Sequence, residues 1–258
     1  MTSDDHVLAA ELAEQAGRRL LDLRAEGGDP DDLRKAGDRQ SHDFLAAELA
    51  ARRPGDAVLS EEGRDDPARL SAERVWIVDP LDGTREYGEA GRTDWAVHVA
   101  LWESGSLTAG AVALPAQGQV LSTLRPPVVP PLAPGGPGLA GRKLRVLVSR
   151  TRPPAFLDRL SELADLTLLP LGSAGAKAAA VMQGDADVYV HAGGQYEWDS
   201  AAPVAVAVAA GLHASRIDGS ALEYNRPDPV LPDILICPTE IANPLLDAIG
   251  AATAARPA

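Results

Sequence analysis

The most informative segment of this 258-residue chain is Trp76-Ile77-Val78-Asp79-Pro80-Leu81-Asp82-Gly83-Thr84. Its apolar start predicts a buried strand, and the strand stops at two carboxylates, where α/β proteins keep their ligand sites. Asp79, Asp82 and the carbonyl of Leu81 can turn three hard oxygens toward one Mg²⁺ ion. Gly83 and Thr84 then offer backbone N–H groups at a turn, a geometry that binds phosphate. The segment therefore favours a metal-assisted phosphatase.

The composition narrows the class of protein. A net charge of −13 argues against binding a nucleic-acid polymer, which needs a basic surface. Cys237 is the only cysteine, so no internal disulfide is possible and a reducing compartment is expected. The longest apolar run, 201–212, is too short to span a bilayer, and the acidic residues 1–5 do not resemble a secretion signal. The sequence therefore predicts a cytoplasmic protein with no membrane partner.

The two halves of the chain differ in pattern. Residues 1–125 predict an α+β half, and residues 142–258 alternate strands and helices as an α/β half does. Between them, 126–141 is rich in proline and glycine and predicts a loop or linker at a domain boundary. The predicted helices are 4–26, 38–52, 154–164, 174–183 and 199–210. The predicted strands are 57–59, 75–78, 95–102, 107–114, 144–149, 166–170, 188–191 and 212–216.

Carboxylates cluster at three places, each at the end of a predicted strand or the start of a predicted helix. These are Ser60-Glu61-Glu62, the pair Asp79 and Asp82, and Glu197-Trp198-Asp199. Each has a simpler interpretation when taken alone: a solvated acidic turn, an Asp-Gly turn, and a helix start capped by Asp199. Taken together, the three clusters can converge on one metal site.

A covalent phosphatase mechanism fits this chain poorly. Enzymes of the haloacid-dehalogenase type carry Asp-x-Asp-Gly-Thr after a strand, whereas Asp79 and Asp82 are separated by one residue more. That insertion would displace the nucleophile from its general acid. Direct attack by metal-activated water is therefore the favoured mechanism.

At this point the chain resembles the inositol monophosphatase superfamily of Mg²⁺-dependent, Li⁺-sensitive phosphatases. The resemblance lies in Ser60-Glu61-Glu62, in 79–84 and in Trp198-Asp199-Ser200-Ala201-Ala202, and it covers about 9–238. It implies a layered αβαβα sandwich, with two or three Mg²⁺ ions bound between an α+β half and an α/β half. The metal ligands that it implies are Glu61, Asp79, the Leu81 carbonyl, Asp82 and Asp199.

The same resemblance implies further roles in catalysis. Thr84, supported by Asp38, would orient the attacking water, with Glu61 as a third catalytic group. The amides of Gly83 and Thr84 would hold the phosphate. The segment before Asp38 reads Lys35-Ala36-Gly37, which departs from the threonine-containing pattern of the family.

Other segments resemble the 3′(2′),5′-bisphosphate nucleotidase branch of the superfamily. Thr84-Arg85-Glu86-Tyr87 is similar to its Thr-Lys-Glu-Tyr/Phe, and 172–177 is similar to its Gly-Gly-Ala-Gly-Asn-Lys. The segment 148–152 is similar to Thr/Ser-Arg-Ser-His, with arginine in place of the histidine. The substrate contacts implied outside the cradle are Ser149, Arg152, Ser173 and Lys177. An arginine at 152 favours contact with a 5′-phosphate, which it can grip through two hydrogen bonds.

The function that the resemblance implies is Mg²⁺-dependent hydrolysis of adenosine 3′,5′-bisphosphate, a by-product of sulfate assimilation, to AMP and phosphate. The alternatives are an inositol-1-phosphatase or fructose-1,6-bisphosphatase of the same superfamily, and a non-catalytic protein that binds metals or anions. The expected partner is a small phosphate ester, and a homodimer stays open as a second. Of the histidines, His98 is expected to be packed in a strand rather than functional.

Overall fold

The computed structural model describes residues 3–136 and 138–254. Five layers alternate helix and sheet in the order αβαβα, which confirms the predicted sandwich. The described part leaves out residues 1–2, 137 and 255–258. Predictions for the two halves, the linker and the acidic start lie outside it where they rest on these residues. Within that part, no helix combines the length and the apolar character needed to cross a bilayer.

The first sheet contains five strands in chain order. β1 and β2 are parallel, and the remaining neighbours are antiparallel. The strands are β1 Ala57–Ser60, β2 Arg74–Asp82, β3 Ala96–Glu103, β4 Ser106–Leu114 and β5 Gln119–Ser122. A 3-10 turn, Pro67–Ser71, precedes β2, and a second, Pro115–Gln117, precedes β5. The pairing of β2 with β3 is irregular between Asp79 and Asp82, so the strand bends where its two carboxylates stand.

The second sheet has the strand order β7-β6-β8-β10-β9. Its strands are β6 Leu144–Ser149, β7 Leu166–Leu171, β8 Val188–Tyr196, β9 Leu212–Ser215 and β10 Val230–Pro238. β6 pairs in parallel with both β7 and β8, and β10 pairs antiparallel with β8 and β9. The second half is therefore a mixed sheet rather than an all-parallel one.

The described residues form seven α-helices, six of which make up the other three layers. They are α1 Ser3–Glu26, α2 Pro30–Arg52, α3 Thr84–Gly88, α4 Leu157–Leu163, α5 Ala174–Gln183, α6 Glu197–Ala209 and α7 Thr239–Thr253. The helices α1 and α2 cover the outer face of the first sheet, and α4 and α7 cover that of the second. The helices α5 and α6 lie between the sheets, where their alanines and valines pack against both. This middle layer brings the N-termini of α5 and α6 to the end of β2.

Several predicted boundaries were wrong. Helix α2 begins at Pro30 rather than 38, because Asp29 caps it through the amides of Asp31 and Asp32. Strand β8 continues past 191 to Tyr196, and α6 begins two residues earlier than 199. The elements β5, β10, α3 and α7 were not predicted. Residues 126–136 and 138–141 contain no helix or strand, but the division into two domains stays a prediction because one hydrophobic cluster joins both halves.

Candidate active site

Three predicted ligands meet at the end of β2. Carboxylate oxygens of Asp79, Asp82 and Asp199 all lie within 4.8 Å of one another. Asp79 and Asp82 come from β2 in the first half, whereas Asp199 lies in the first turn of α6 in the second half. Glu61 follows β1 and interacts with both Asp79 and Asp199. The site therefore lies where the two halves of the chain meet.

The acidic groups of this cluster crowd one another. Burial, followed by the charge of Glu61, raises the pKa of Asp79 well above its ordinary value. Burial and then Asp82 raise the pKa of Asp199 to about 6. Desolvation and then Asp199 raise the pKa of Glu61 to about 7, although part of its side chain is exposed. Several carboxylates therefore repel one another when they are ionised. A bound cation would relieve this repulsion.

Asp82 differs from the other members because hydrogen-bond donors surround it. It accepts from the hydroxyl of Ser173 and from the amides of Ala174 and Gly175, at 3.1 and 2.7 Å. Burial alone would raise its pKa, but His98, Lys177 and Ser173 outweigh burial and lower that pKa to about 2. Asp82 therefore keeps its charge at any physiological pH.

His98 is an unpredicted part of this site. Its Nδ1 lies 3.1 Å from the carbonyl oxygen of Trp198, and its Nε2 lies 3.2 Å from Oδ2 of Asp82. The second approach has the distance of an ion pair but not the alignment of a hydrogen bond. Because a carbonyl only accepts, Nδ1 carries a proton, and a carboxylate opposite Nε2 favours a second one. Burial lowers the pKa of His98, but Asp82 outweighs it and raises that pKa overall. The strand pattern predicted a packed residue, and only the tertiary contact reveals the ion pair.

Thr84 and Asp38 lie together beside the cluster. The hydroxyl of Thr84 is 3.0 Å from the Leu81 carbonyl oxygen and 3.3 Å from Oδ1 of Asp38. Burial and then the charge of Glu62 raise the pKa of Asp38 to about 6, although its contact with Thr84 lowers it. Asp38 comes from the middle of α2, so a residue distant in sequence reaches the turn after β2.

The turn after β2 requires glycine at position 83. Gly83 has a φ of +84°, which most residues avoid. A Cβ there would lie 3.1 Å from both the carbonyl oxygen of Asp94 and the Cβ of Ser173. Gly83 therefore lets the end of β2 approach the start of α5 closely. The proposed phosphate contact of the Gly83 and Thr84 amides stays a prediction.

A cleft of about 230 Å³ opens beside this turn. It contains every residue predicted to contact substrate: Gly83, Thr84, Ser149, Arg152, Ser173 and Lys177. Arg85 and Arg150 line it as well, so cationic side chains face the same cleft as the carboxylates of Asp82 and Asp199. Arg150 is already paired, because it donates to Glu86 at 2.7 Å and to Glu89 at 2.8 Å. Arg85 and Arg152 are exposed and are the better candidates for an anionic substrate group.

Lys177 and Ser149 have local partners within the cleft wall. Lys177 is 3% exposed, and its ammonium group donates to the carbonyls of Gly172 and Ser173. Burial lowers its pKa to about 8. Ser149 accepts a hydrogen bond from the amide of Arg152 at 3.1 Å. Lys177 therefore supports the turn before α5, and its predicted contact with substrate stays a prediction.

Comparison with known proteins gives close relatives over most of the chain. The sequence model of the inositol monophosphatase family matches residues 6–250. A 3′-phosphoadenosine 5′-phosphate phosphatase of Mycobacterium tuberculosis is 55% identical over 244 residues, 91% of this chain and 89% of that protein. The 3′(2′),5′-bisphosphate nucleotidase CysQ of Escherichia coli K12 is 32% identical over 196 residues, 73% of this chain and 78% of that protein.

The solved structures agree on the fold. Inositol monophosphatase II of Staphylococcus aureus matches with a TM-score of 0.77 at 21% identity, over 95% of this chain and 93% of that one. At such identity the likeness carries the fold alone. Because the family's sequence model spans almost the whole length, the chain belongs to the inositol monophosphatase family.

Proposed function

We propose that this protein is a Mg²⁺-dependent 3′(2′),5′-bisphosphate nucleotidase that hydrolyses adenosine 3′,5′-bisphosphate to AMP and phosphate in the cytoplasm. The observation that carries the proposal is a cluster of three carboxylates, two of which, Asp82 and Asp199, line a cleft that is also lined by arginines. The 55% identical mycobacterial protein is named for the same substrate, and CysQ for the same class.

The residues present fit Mg²⁺. The donors are carboxylates and one backbone carbonyl, all hard oxygens of the kind that this ion prefers. We propose Glu61, Asp79, the Leu81 carbonyl, Asp82 and Asp199 as the ligands of two or three ions. When bound, Mg²⁺ would supply Lewis-acid activation of water and neutralise charge on the phosphate oxygens.

The side chains around these ligands have separate tasks in the proposal. The hydroxyl of Thr84, which lies 3.3 Å from Oδ1 of Asp38, would orient the attacking water; it would take a proton from that water as its own proton passes to Asp38. The amides of Gly83 and Thr84 hold the 3′-phosphate. Ser173, held against Asp82, keeps the wall of the cleft fixed as the ester bond breaks.

The second phosphate of the substrate gives the specificity. Arg152 is exposed at the rim of the cleft and carries a permanent charge, so it is our candidate for binding the 5′-phosphate. Ser149, which accepts the amide hydrogen of Arg152, fixes the turn that presents it. An inositol monophosphate has no group to meet this arginine.

The test compares three substrates at one saturating Mg²⁺ concentration, with a chelator arm for each. We expect kcat/KM on adenosine 3′,5′-bisphosphate to exceed that on inositol 1-phosphate and fructose 1,6-bisphosphate by at least about tenfold, the value of one good contact. Chelation should abolish all three activities. A preference for either sugar phosphate would replace the proposed substrate, and chelator-resistant hydrolysis would remove the metal.

A further inference from the structure

Arg69 is a buried charge outside the carboxylate cluster. It is 1% exposed, and its guanidinium makes two hydrogen bonds to Asp65, at 2.6 and 3.1 Å. It also donates to Oδ1 of Asn225 at 2.8 Å and to the carbonyl of Arg226 at 2.9 Å. A buried charge with so many partners must hold a defined geometry, because losing them is costly.

The opposite side of the same contact is also buried and charged. Glu197, which is 1% exposed, accepts the amide hydrogens of Asn225 at 2.7 Å and Arg226 at 2.8 Å. The side-chain amide of Asn225 donates back to the carbonyl of Arg69 at 3.1 Å. Asn225 adopts a φ of +58°, a left-handed conformation that places it between the two charges. We call Arg69, Asn225 and Glu197 the clamp.

The clamp joins the two segments that carry metal ligands from opposite halves. Arg69 lies in the 3-10 turn of the loop that leads from Glu61 to β2. Glu197 begins α6, two residues before Asp199. Glu61 follows β1, which is an edge strand paired only with β2, so its loop has little support from the sheet. The clamp supplies a link from that loop to the start of α6.

We infer that Arg69, Asn225 and Glu197 are positioning residues that set the spacing between the Glu61 and Asp199 carboxylates and thereby the affinity for the metal. The inference rests on the metal site of the proposed function. Residues that orient metal ligands from outside the ligand set have comparable effects in other proteins, where their loss costs roughly 10–100-fold in metal affinity.

The test uses Asn225→Gly, since glycine tolerates the left-handed backbone and the substitution removes only the side-chain link. Mn²⁺ serves as the probe, because it shares the oxygen preference of Mg²⁺ and free Mn²⁺ can be counted by its electron paramagnetic resonance signal. We expect Mn²⁺ affinity about tenfold weaker than wild type. The Mg²⁺ concentration for half-maximal activity should rise similarly, while KM for substrate at saturating Mg²⁺ stays within about twofold.

The matched control is Ser104→Gly, which changes another non-glycine residue of positive φ, in the turn between β3 and β4. It should bind Mn²⁺ as wild type does. Glu197→Gln, which keeps the side-chain shape but removes the charge, should also weaken Mn²⁺ binding, and it decides the case if Asn225→Gly does not fold. Wild-type affinity in these clamp variants, or an equal loss in the control, would overturn the inference. A wild-type protein that binds no Mn²⁺ would overturn the metal site itself.

Discussion

Asp82 is the residue through which the two halves of the active site contact each other most directly. It stands on β2, yet its carboxylate accepts hydrogen bonds from three residues at the start of α5, and its ion-pair partner His98 stands on β3. The carboxylate is thus both a candidate metal ligand and the acceptor that caps the middle layer. Its two tasks predict two separate effects of substitution.

We expect Asp82→Asn to abolish turnover and also to weaken the fold. The amide loses the charge that attracts Mg²⁺, and its NH₂ group faces donors where the carboxylate accepted. One unsatisfied buried contact of this kind costs about 1–3 kcal/mol of unfolding free energy. Steady-state kinetics and urea unfolding measure the two effects. Retention of more than about a tenth of kcat, a barrier change of only ~1.4 kcal/mol, would remove Asp82 from the metal site.

Arg152 and Lys177 should separate in their effect on substrates. Arg152→Ala should cost about 1.5–3 kcal/mol in kcat/KM on adenosine 3′,5′-bisphosphate, the value of a charged contact, and little on inositol 1-phosphate. Lys177→Met should lower both alike, because the ammonium supports the turn that holds Ser173 against Asp82. Equal losses on both substrates for Arg152→Ala would mean that Arg152 does not bind the second phosphate.

The sequence grouped Asp79, Asp82 and Asp199 through three carboxylate clusters and a family resemblance, and their carboxylate oxygens do lie within 4.8 Å of one another. Their role as metal ligands stays a prediction. The roles of His98 and Arg69 were not predictable in this way. Strand alternation shows that His98 is buried but not which residue it faces. Arg69 bonds to nearby Asp65, but another partner, Asn225, lies 156 positions away.

Helix α5 is held between the two sheets by small residues. Gly175 lies where the helix crosses β3, and a Cβ there would collide with Nε2 of His98 and lie 3.1 Å from the Cβ of Ala96. Its amide is also one of the donors to Asp82. The close approach of α5 to the first sheet therefore depends on this glycine.

We expect Gly175→Ala to destabilise the protein by about 1–3 kcal/mol, the usual cost of overpacking, and to reduce activity as α5 moves away from Asp82. Gly250→Ala in α7 is the control, because a Cβ there meets nothing within 4 Å. That substitution should be neutral or stabilise by up to about 1 kcal/mol, since alanine favours a helix over glycine. Thermal unfolding of both variants measures the difference in their stability. Equal stability of the two variants would show that α5 can accommodate a methyl group at position 175.

Two of the elements missing from the sequence prediction, β10 and α7, contain a proline. Strand β10 contains Pro232, which argues against a strand, but the proline stands where the pairing with β8 shifts register, so no ladder bond is lost. Helix α7 contains Pro244 in its interior, which also hides its pattern. The start of α2 was predicted too late because the helix has little apolar periodicity before residue 44, although Asp29 and Pro30 form a recognisable helix start. Prediction from local sequence patterns therefore misses a strand or helix when the packing of the folded chain accommodates a proline inside it.

At the scale of the whole molecule, the crowded carboxylates should make the free energy of unfolding depend on pH and on bound Mg²⁺. The folded-state pKa values of Glu61, Asp38 and Asp199 are raised to about 7, 6 and 6, so in this range the folded state holds more protons than the unfolded one. Their contribution is therefore present below about pH 4 and is lost as pH rises toward 7.

We accordingly expect the Tm of the metal-free protein to fall between about pH 5 and 7.5, and Mg²⁺ to raise it more at the upper pH, where the ligands are ionised. Glu61→Gln should flatten the fall in Tm, because it removes the group with the highest pKa of the three. Scanning calorimetry with and without Mg²⁺ gives both quantities. The account would be contradicted if the wild-type Tm rose between about pH 5 and 7.5 and Glu61→Gln showed the same rise.

The central claim is that the 3′-phosphate of a nucleotide bisphosphate is removed at the carboxylate cluster while the 5′-phosphate stays bound at the far side of the cleft. The direct measurement is chromatographic identification of the products from adenosine 3′,5′-bisphosphate with Mg²⁺ and with a chelator. We expect adenosine 5′-phosphate and one equivalent of phosphate with Mg²⁺, and unchanged substrate with the chelator. Adenosine 3′-phosphate as product, or no hydrolysis while inositol 1-phosphate is consumed, would contradict the account.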